Sequence, residues 1–202
     1  MKMKSSMVKY IALSLIMAFV IVGCAKPPVE ETNAASAAIE AAKQDGAEKY
    51  SAEELKSVSD ELAAAADEVK VQENKFFKNY DKAKQILAKV KGDAEAIKAG
   101  IPAKKEEAKN GAVAAQTAAT TAITDAKALL EKAPKGKDSK AEVEALTNDI
   151  KGLEESLPGV QQMIDTEDYF GAADKAKAIS EKATSVSDQI NAAIEKKGGK
   201  KK

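Results

Sequence analysis

Residues 169–190 read YFGAADKAKAISEKATSVSDQI, and seven of them, Tyr169, Ala172, Ala176, Ile179, Ala183, Val186 and Ile190, recur at alternating intervals of three and four. That spacing gathers apolar side chains on one face of an α-helix, the pattern of a helix packed lengthwise against another. Upstream, Leu55, Val58, Leu62, Ala65 and Val69 step in the same way. The stripe stays in phase through Phe76, Ala83, Ile86, Val90 and Ile97, which predicts one long helix or two nearly collinear ones from Ser51 onward. Between the two stretches lies an alanine stripe, Ala108, Ala112, Ala115, Ala119, Ala122 and Ala126, ending at Leu130. A further Ala-rich helix is expected from Asn33 to about Asp45 and Gly46.

Boundary signals divide these helices. Ser51 with Glu54, and Ser139 with Glu142, have the spacing of capping boxes. Pro102, Pro134 and Pro158 are expected at helix ends, because proline lacks the amide proton a helix interior needs. No run of alternating β-branched residues lies between them, so strands are not expected. The fold class read from this pattern is all-α, an elongated antiparallel bundle of coiled-coil-like hairpins. A first helical unit is expected over residues 33–100 and a second over 101–196.

The two halves echo one another. Residues 77–86 line up with 170–179, and the same shift superimposes Phe76 on Tyr169, Val90 on Ala183 and Ile97 on Ile190. Residues 38–43 echo 122–127. A duplicated helical unit would produce both matches.

Composition narrows the function classes. The chain has 32 basic residues, all of them Lys, against 32 acids, with no His, no Trp and a single Cys. Three lysines precede Cys24 and five close the chain, leaving residues 24–195 with 24 lysines against 32 acids, a net charge of −8. An acidic body argues against a nucleic-acid partner.

The first 24 residues carry the strongest signal. Lys2, Lys4 and Lys9 precede an uncharged apolar run from Tyr10 to Val22, which ends at Gly23-Cys24. A basic start followed by a short apolar segment is a signal peptide, expected over residues 1–23. Thirteen helical residues span about 20 Å, short of the roughly 30 Å hydrocarbon core that a permanent span must cross. Ile21-Val22-Gly23-Cys24 resembles the lipobox of bacterial lipoproteins. The resemblance implies cleavage between Gly23 and Cys24, a diacylglyceryl group on the Cys24 thiol and an acyl chain on the new amino group, with no other cofactor. Two or more chains anchor stably where one does not. Residue 25 is Ala, not the Asp that resembles an inner-membrane retention signal. The outer membrane, facing the periplasm, is therefore the expected address in a two-membrane cell. Residues 24–32, with Pro27-Pro28, read as the anchor and an extended tether.

From Cys24 onward the first half resembles an uncharacterised family of bacterial lipoprotein domains. The matching residues are Ala38, Ile39, Ala42, Gly46, Ala47 and Tyr50, then Leu55 and Leu62, then Tyr80, Ala83 and Leu87. The resemblance implies a helical, periplasm-facing domain and brings no activity with it. Some members are fused to peptidoglycan-binding OmpA-like domains.

Catalysis has little to work with. Serine or cysteine nucleophiles need a base beside them, usually His, and acylation consumes the one thiol. The same lack removes ordinary zinc, copper and haem ligation, so no metal is expected. Glu53-Glu54, Glu106-Glu107 and Glu154-Glu155 are carboxylate pairs, but neighbours on a helix diverge, and solvated surface is the expected reading. Phe76, Phe77, Tyr80, Tyr169 and Phe170 form two aromatic clusters, read as core at the wide end of each hairpin. No enzyme is expected.

The tail, residues 197–202 with the preceding Lys196, offers Lys196, Lys197, Lys200, Lys201 and Lys202 as a contact for peptidoglycan or another anionic partner. An acylated, Ala-rich helical chain ending in Lys is similar in plan to Braun's lipoprotein, whose terminal Lys is linked to peptidoglycan. The residues before the tail do not match that family. The expected function is a structural spacer or interaction adaptor of the cell envelope; heptad faces such as Tyr169 to Ile190 can pack either within one chain or between chains, the latter giving self-association. The alternative is a helical binding module for a peptide or apolar ligand, whose groove would be lined by exposed Tyr80 and Tyr169.

Overall fold

The computed structural model describes residues 25–133, 136 and 139–198. Within them the chain forms α1 (Val29–Gln44), α2 (Ala47–Tyr50), α3 (Ala52–Glu73), α4 (Asp81–Leu130), α5 (Lys140–Asp165) and α6 (Tyr169–Gly198). No strand occurs among the described residues. The all-α bundle expected from the apolar stripes is the observed fold. Two compact units divide between Ala103 and Lys104, inside the 50-residue α4.

Unit 1 packs α1, α3 and the first part of α4. Ion pairs fix the directions. Lys82 meets Glu68 at 2.7 Å and Lys89 meets Glu61 at 2.6 Å, so α4 advances seven residues while α3 retreats seven, and the two are antiparallel. Lys84 meets Glu31 at 3.4 Å and Lys98 meets Asp45 at 3.7 Å, so α1 and α4 advance together. The core between them holds Ala35, Ile39, Ala42, Leu55, Val58, Ala65, Leu87, Val90, Ala94 and Ile101. Leu87 and Val90 are fully buried, and each such side chain contributes about 1.5–3 kcal/mol by leaving water. The alanines remove less area but let the axes approach. Between α1 and α3 the chain turns at Gly46, whose φ of 103° suits a residue without Cβ.

Unit 2 packs the remainder of α4 with α5 and α6. Gln116 meets Gln161 at 3.0 Å and Lys127 meets Glu154 at 2.5 Å, again an antiparallel pair. Ala112, Ala119, Ile123 and Ala126 of α4 and Leu146, Ile150, Leu153 and Val160 of α5 are buried, and α6 buries the whole stripe from Tyr169 to Ile190. A tight turn of Thr166, Glu167 and Asp168 joins α5 to α6, with Glu167 at φ 61° and the Asp168 amide donating to the Met163 carbonyl at 2.8 Å.

Burial repeats between the units, and only in the third helix does its register differ from the sequence echo. Ala35, Ile39 and Ala42 correspond to Ala119, Ile123 and Ala126, a shift of 84 that also carries residues 38–43 onto 122–127. Ser51 corresponds to Ser139, and Val58 and Ala65 to Leu146 and Leu153, a shift of 88. In the third helix Tyr80, Ala83, Leu87, Val90, Ala94 and Ile101 correspond to Tyr169, Ala172, Ala176, Ile179, Ala183 and Ile190, a shift of 89. The sequence echo aligns this helix one turn away. That register sets Phe76, 89% exposed, on Tyr169, 5% exposed, whereas the shift of 89 pairs six buried residues with six; Ala/Lys-rich helices match in sequence at several offsets.

Four further expectations are corrected. The tether ends at Pro28, because α1 already starts at Val29: Pro28 is its N-cap, Glu30 and Glu31 complement the helix dipole, and Thr32 donates from both its amide and its hydroxyl to the Pro28 carbonyl. The long helix from Ser51 breaks at residues 74–80, where the chain reverses. Pro102 and Pro158 lie inside α4 and α5, not at their ends. Both rings are on exposed positions, and buried Ile101 and Val160 beside them hold the helix across the missing hydrogen bond. Ser51 and Ser139 are N-caps by position, yet neither hydroxyl caps its helix. Neither has the extended backbone that swings a cap oxygen over the first turn, and the Ser139 hydroxyl bonds Gly136 instead.

Candidate functional site

Gly23, Cys24, Lys200, Lys201 and Lys202 lie outside the described residues. Lys196 is exposed on α6, and Lys197 belongs to its last turn. The residues nearest the expected anchor are Ala25 to Pro28, which lead directly into α1. Lys26 and Pro27 line a shallow surface depression with Val29, Glu30, Glu31 and Lys84. Because α1 and α4 run parallel, this end of unit 1 also carries the turn between α3 and α4.

That turn is built from polar side chains inside and aromatic ones outside. Buried Gln72 donates to Glu68 at 2.8 Å and accepts the Asn79 amide at 3.3 Å, tying the two sides together. Asn79 accepts the Asp81 amide at 2.8 Å and starts α4, while Asn74 donates to the Lys70 carbonyl at 3.0 Å and closes α3. Hydrogen bonds from Gln72 and Lys82 hold the Glu68 carboxyl below the usual glutamate value. Outside this network stand Phe76, 89% exposed, and Phe77, 60% exposed, packed edge to face with ring centroids 5.0 Å apart. Lys75 and Lys78 flank them on exposed positions.

The aromatic residues therefore separate into two kinds. Tyr80 and Tyr169 are buried, so the pair does not line the exposed groove that a peptide-binding reading requires. Phe76, Phe77 and Phe170 are exposed, correcting the expectation of aromatic core. The stripe predicted Phe76 to be buried because it sits in phase with Val69, but the turn removes it from any partner helix. The available signal was the run Asn74-Lys75-Phe76-Phe77-Lys78-Asn79, where the rings have polar neighbours on both sides.

The carboxylate pairs do not converge. Glu53, Glu106 and Glu107 are exposed, Glu154 binds Lys127, and Glu155 faces Lys151 at 3.8 Å. Among the described residues no group of three or more His, Cys, Asp or Glu side chains is placed to hold a metal ion. Nor is any described helix long and apolar enough to cross a membrane.

Fold and surface together define an all-α protein of two helical units with charged, solvated outer faces. Compared with known proteins, the chain matches no family model, no curated protein and no solved structure.

Proposed function

We propose that this chain is an exported bacterial lipoprotein, tied to a membrane through acyl chains on Cys24 and acting without catalysis as a structural spacer or adaptor of the cell envelope. The observation that carries the reading is the sequence Ile21-Val22-Gly23-Cys24 at the end of an uncharged run preceded by three lysines. In a two-membrane cell the anchor belongs in the outer membrane, with the helical units in the periplasm. Lys196, Lys197, Lys200, Lys201 and Lys202 supply a basic end for contact with anionic wall polymer or an acidic envelope protein.

Labelling an exporting bacterium with a palmitate analogue tests the anchor. The wild-type chain is expected to take up label and a Cys24→Ser chain to remain unlabelled and uncleaved; an unlabelled wild type overturns the reading. Cross-linking in intact cells tests the adaptor role, with peptidoglycan or an envelope protein expected on the basic end. Digested sacculi bearing a muropeptide on Lys202 would make that contact covalent.

A further inference from the structure

We propose that the turn between α3 and α4 is a second contact with the bilayer, its Phe76 and Phe77 rings entering the headgroup region between the ammonium groups of Lys75 and Lys78. The inference rests on the acylation of Cys24 proposed above and goes beyond it, since it sets which end of unit 1 touches the lipid.

Three observations converge. The first is location: Val29 follows Cys24 by five residues, a length of chain that extends at most about 18 Å. The start of α1 is therefore held close to the membrane surface, and the parallel course of α1 and α4 puts the turn at that same end. The second is apolar exposure. Val29, Val71, Phe76 and Phe77, four of the six large apolar side chains exposed among the described residues, all belong to this end of unit 1. The third is chemistry. The segment 74–79 carries two lysines and no acid, although residues 24–195 have a net charge of −8. Exposed aromatic rings between lysines suit an interface that is apolar below and anionic above.

Hairpin closure does not require these rings. The equivalent turn of unit 2 is made by Thr166, Glu167 and Asp168, which is shorter and acidic. Both rings project into solvent, a shape that fits a fluid surface better than a recessed protein partner.

The chain contains no Trp, so a single Phe76→Trp substitution supplies a reporter. The full chain, made in an exporting bacterium and reconstituted into phosphatidylethanolamine and phosphatidylglycerol vesicles, is expected to show blue-shifted emission that is quenched by brominated acyl chains. A Gln44→Trp reporter at the other end of α1 is expected to stay unshifted and unquenched. Circular dichroism and the mass of the N-terminal peptide report folding and acylation. An acylated, folded chain whose position-76 reporter is unquenched overturns this inference and leaves the lipoprotein reading standing. A reporter that shifts with protein concentration in detergent also overturns it, by showing a second copy over the rings. A chain with no lipid on Cys24 overturns both.

Discussion

The Lys89 ammonium donates to both carboxylate oxygens of Glu61 across the α3–α4 interface, at 2.6 Å each, and to Asp93 one turn along α4 at 2.8 Å. One cation thus joins two helices and braces the second. Hydrogen bonds to Asp93 and then Glu61 hold it above the usual lysine value. A raised lysine contributes its stability in full below its unfolded value of about 10.4, and loses it as pH rises through the folded value. Thermal melts followed by circular dichroism between neutral and strongly alkaline pH should fall more steeply for the native chain than for Lys89→Met.

Glu68 gives the opposite sign. Its carboxyl is lowered, so its contribution is complete above the unfolded value of about 4.3 and disappears as pH falls through the folded one. Glu68→Gln should flatten the acid side of the stability profile and lower the neutral and alkaline side by a constant amount without changing its slope. Melting temperature against pH checks both limbs.

Buried alanines predict an asymmetry of size. Ala183 is completely buried, and Ala183→Leu should destabilise unit 2 by about 1–3 kcal/mol through overpacking. Exposed Ala178→Leu should change stability by less than about 0.5 kcal/mol. Leu87→Ala should cost about 2–5 kcal/mol in unit 1 by leaving a cavity. Urea unfolding measures all three.

Tyr80 is 2% exposed, and its hydroxyl has no hydrogen-bond partner among the described residues. Burying an unpaired hydroxyl costs roughly 1–3 kcal/mol, which Phe at the same position avoids. Tyr80→Phe should therefore stabilise the chain by about 1 kcal/mol in the same urea assay. A loss of stability would reveal a partner for the phenol.

Gly46 turns the chain with φ 103°. A Cβ there would meet the Tyr50 ring at 3.4 Å, and a non-glycine residue in the left-handed region carries about 1–2 kcal/mol of strain. Gly46→Ala should lower stability by that amount, whereas Gly152→Ala, a helical position with open space around it, should raise it by up to about 1 kcal/mol.

Much of this fold is legible one helix at a time. The intervals of three and four at Leu55, Val58 and Ala65, and from Tyr169 to Ile190, name the buried faces correctly, because helical periodicity is a local property of the chain. The same property conceals the turn. Gln72 and Phe76 continue the stripe in phase, and the reversal is set by Gln72 binding the Asn79 amide seven residues away. The prolines mislead for a related reason: Pro158 removes one backbone hydrogen bond, but Leu153 and Val160 on either side are buried and keep α5 helical through it. Of the candidate site, Cys24 and the lysine tail are read from sequence, while the exposed Phe76–Phe77 pair is seen only when the chain is folded.

What the sequence determined by itself is the helical character of the chain, the apolar face of each helix and the segment that resembles a lipobox, since each depends on residues within a few positions of one another. Tertiary structure decided where the chain reverses, which register relates the two units and which aromatic rings face water. An apolar side chain is buried only where another helix lies over it, and the course of that helix is fixed by contacts distant in sequence.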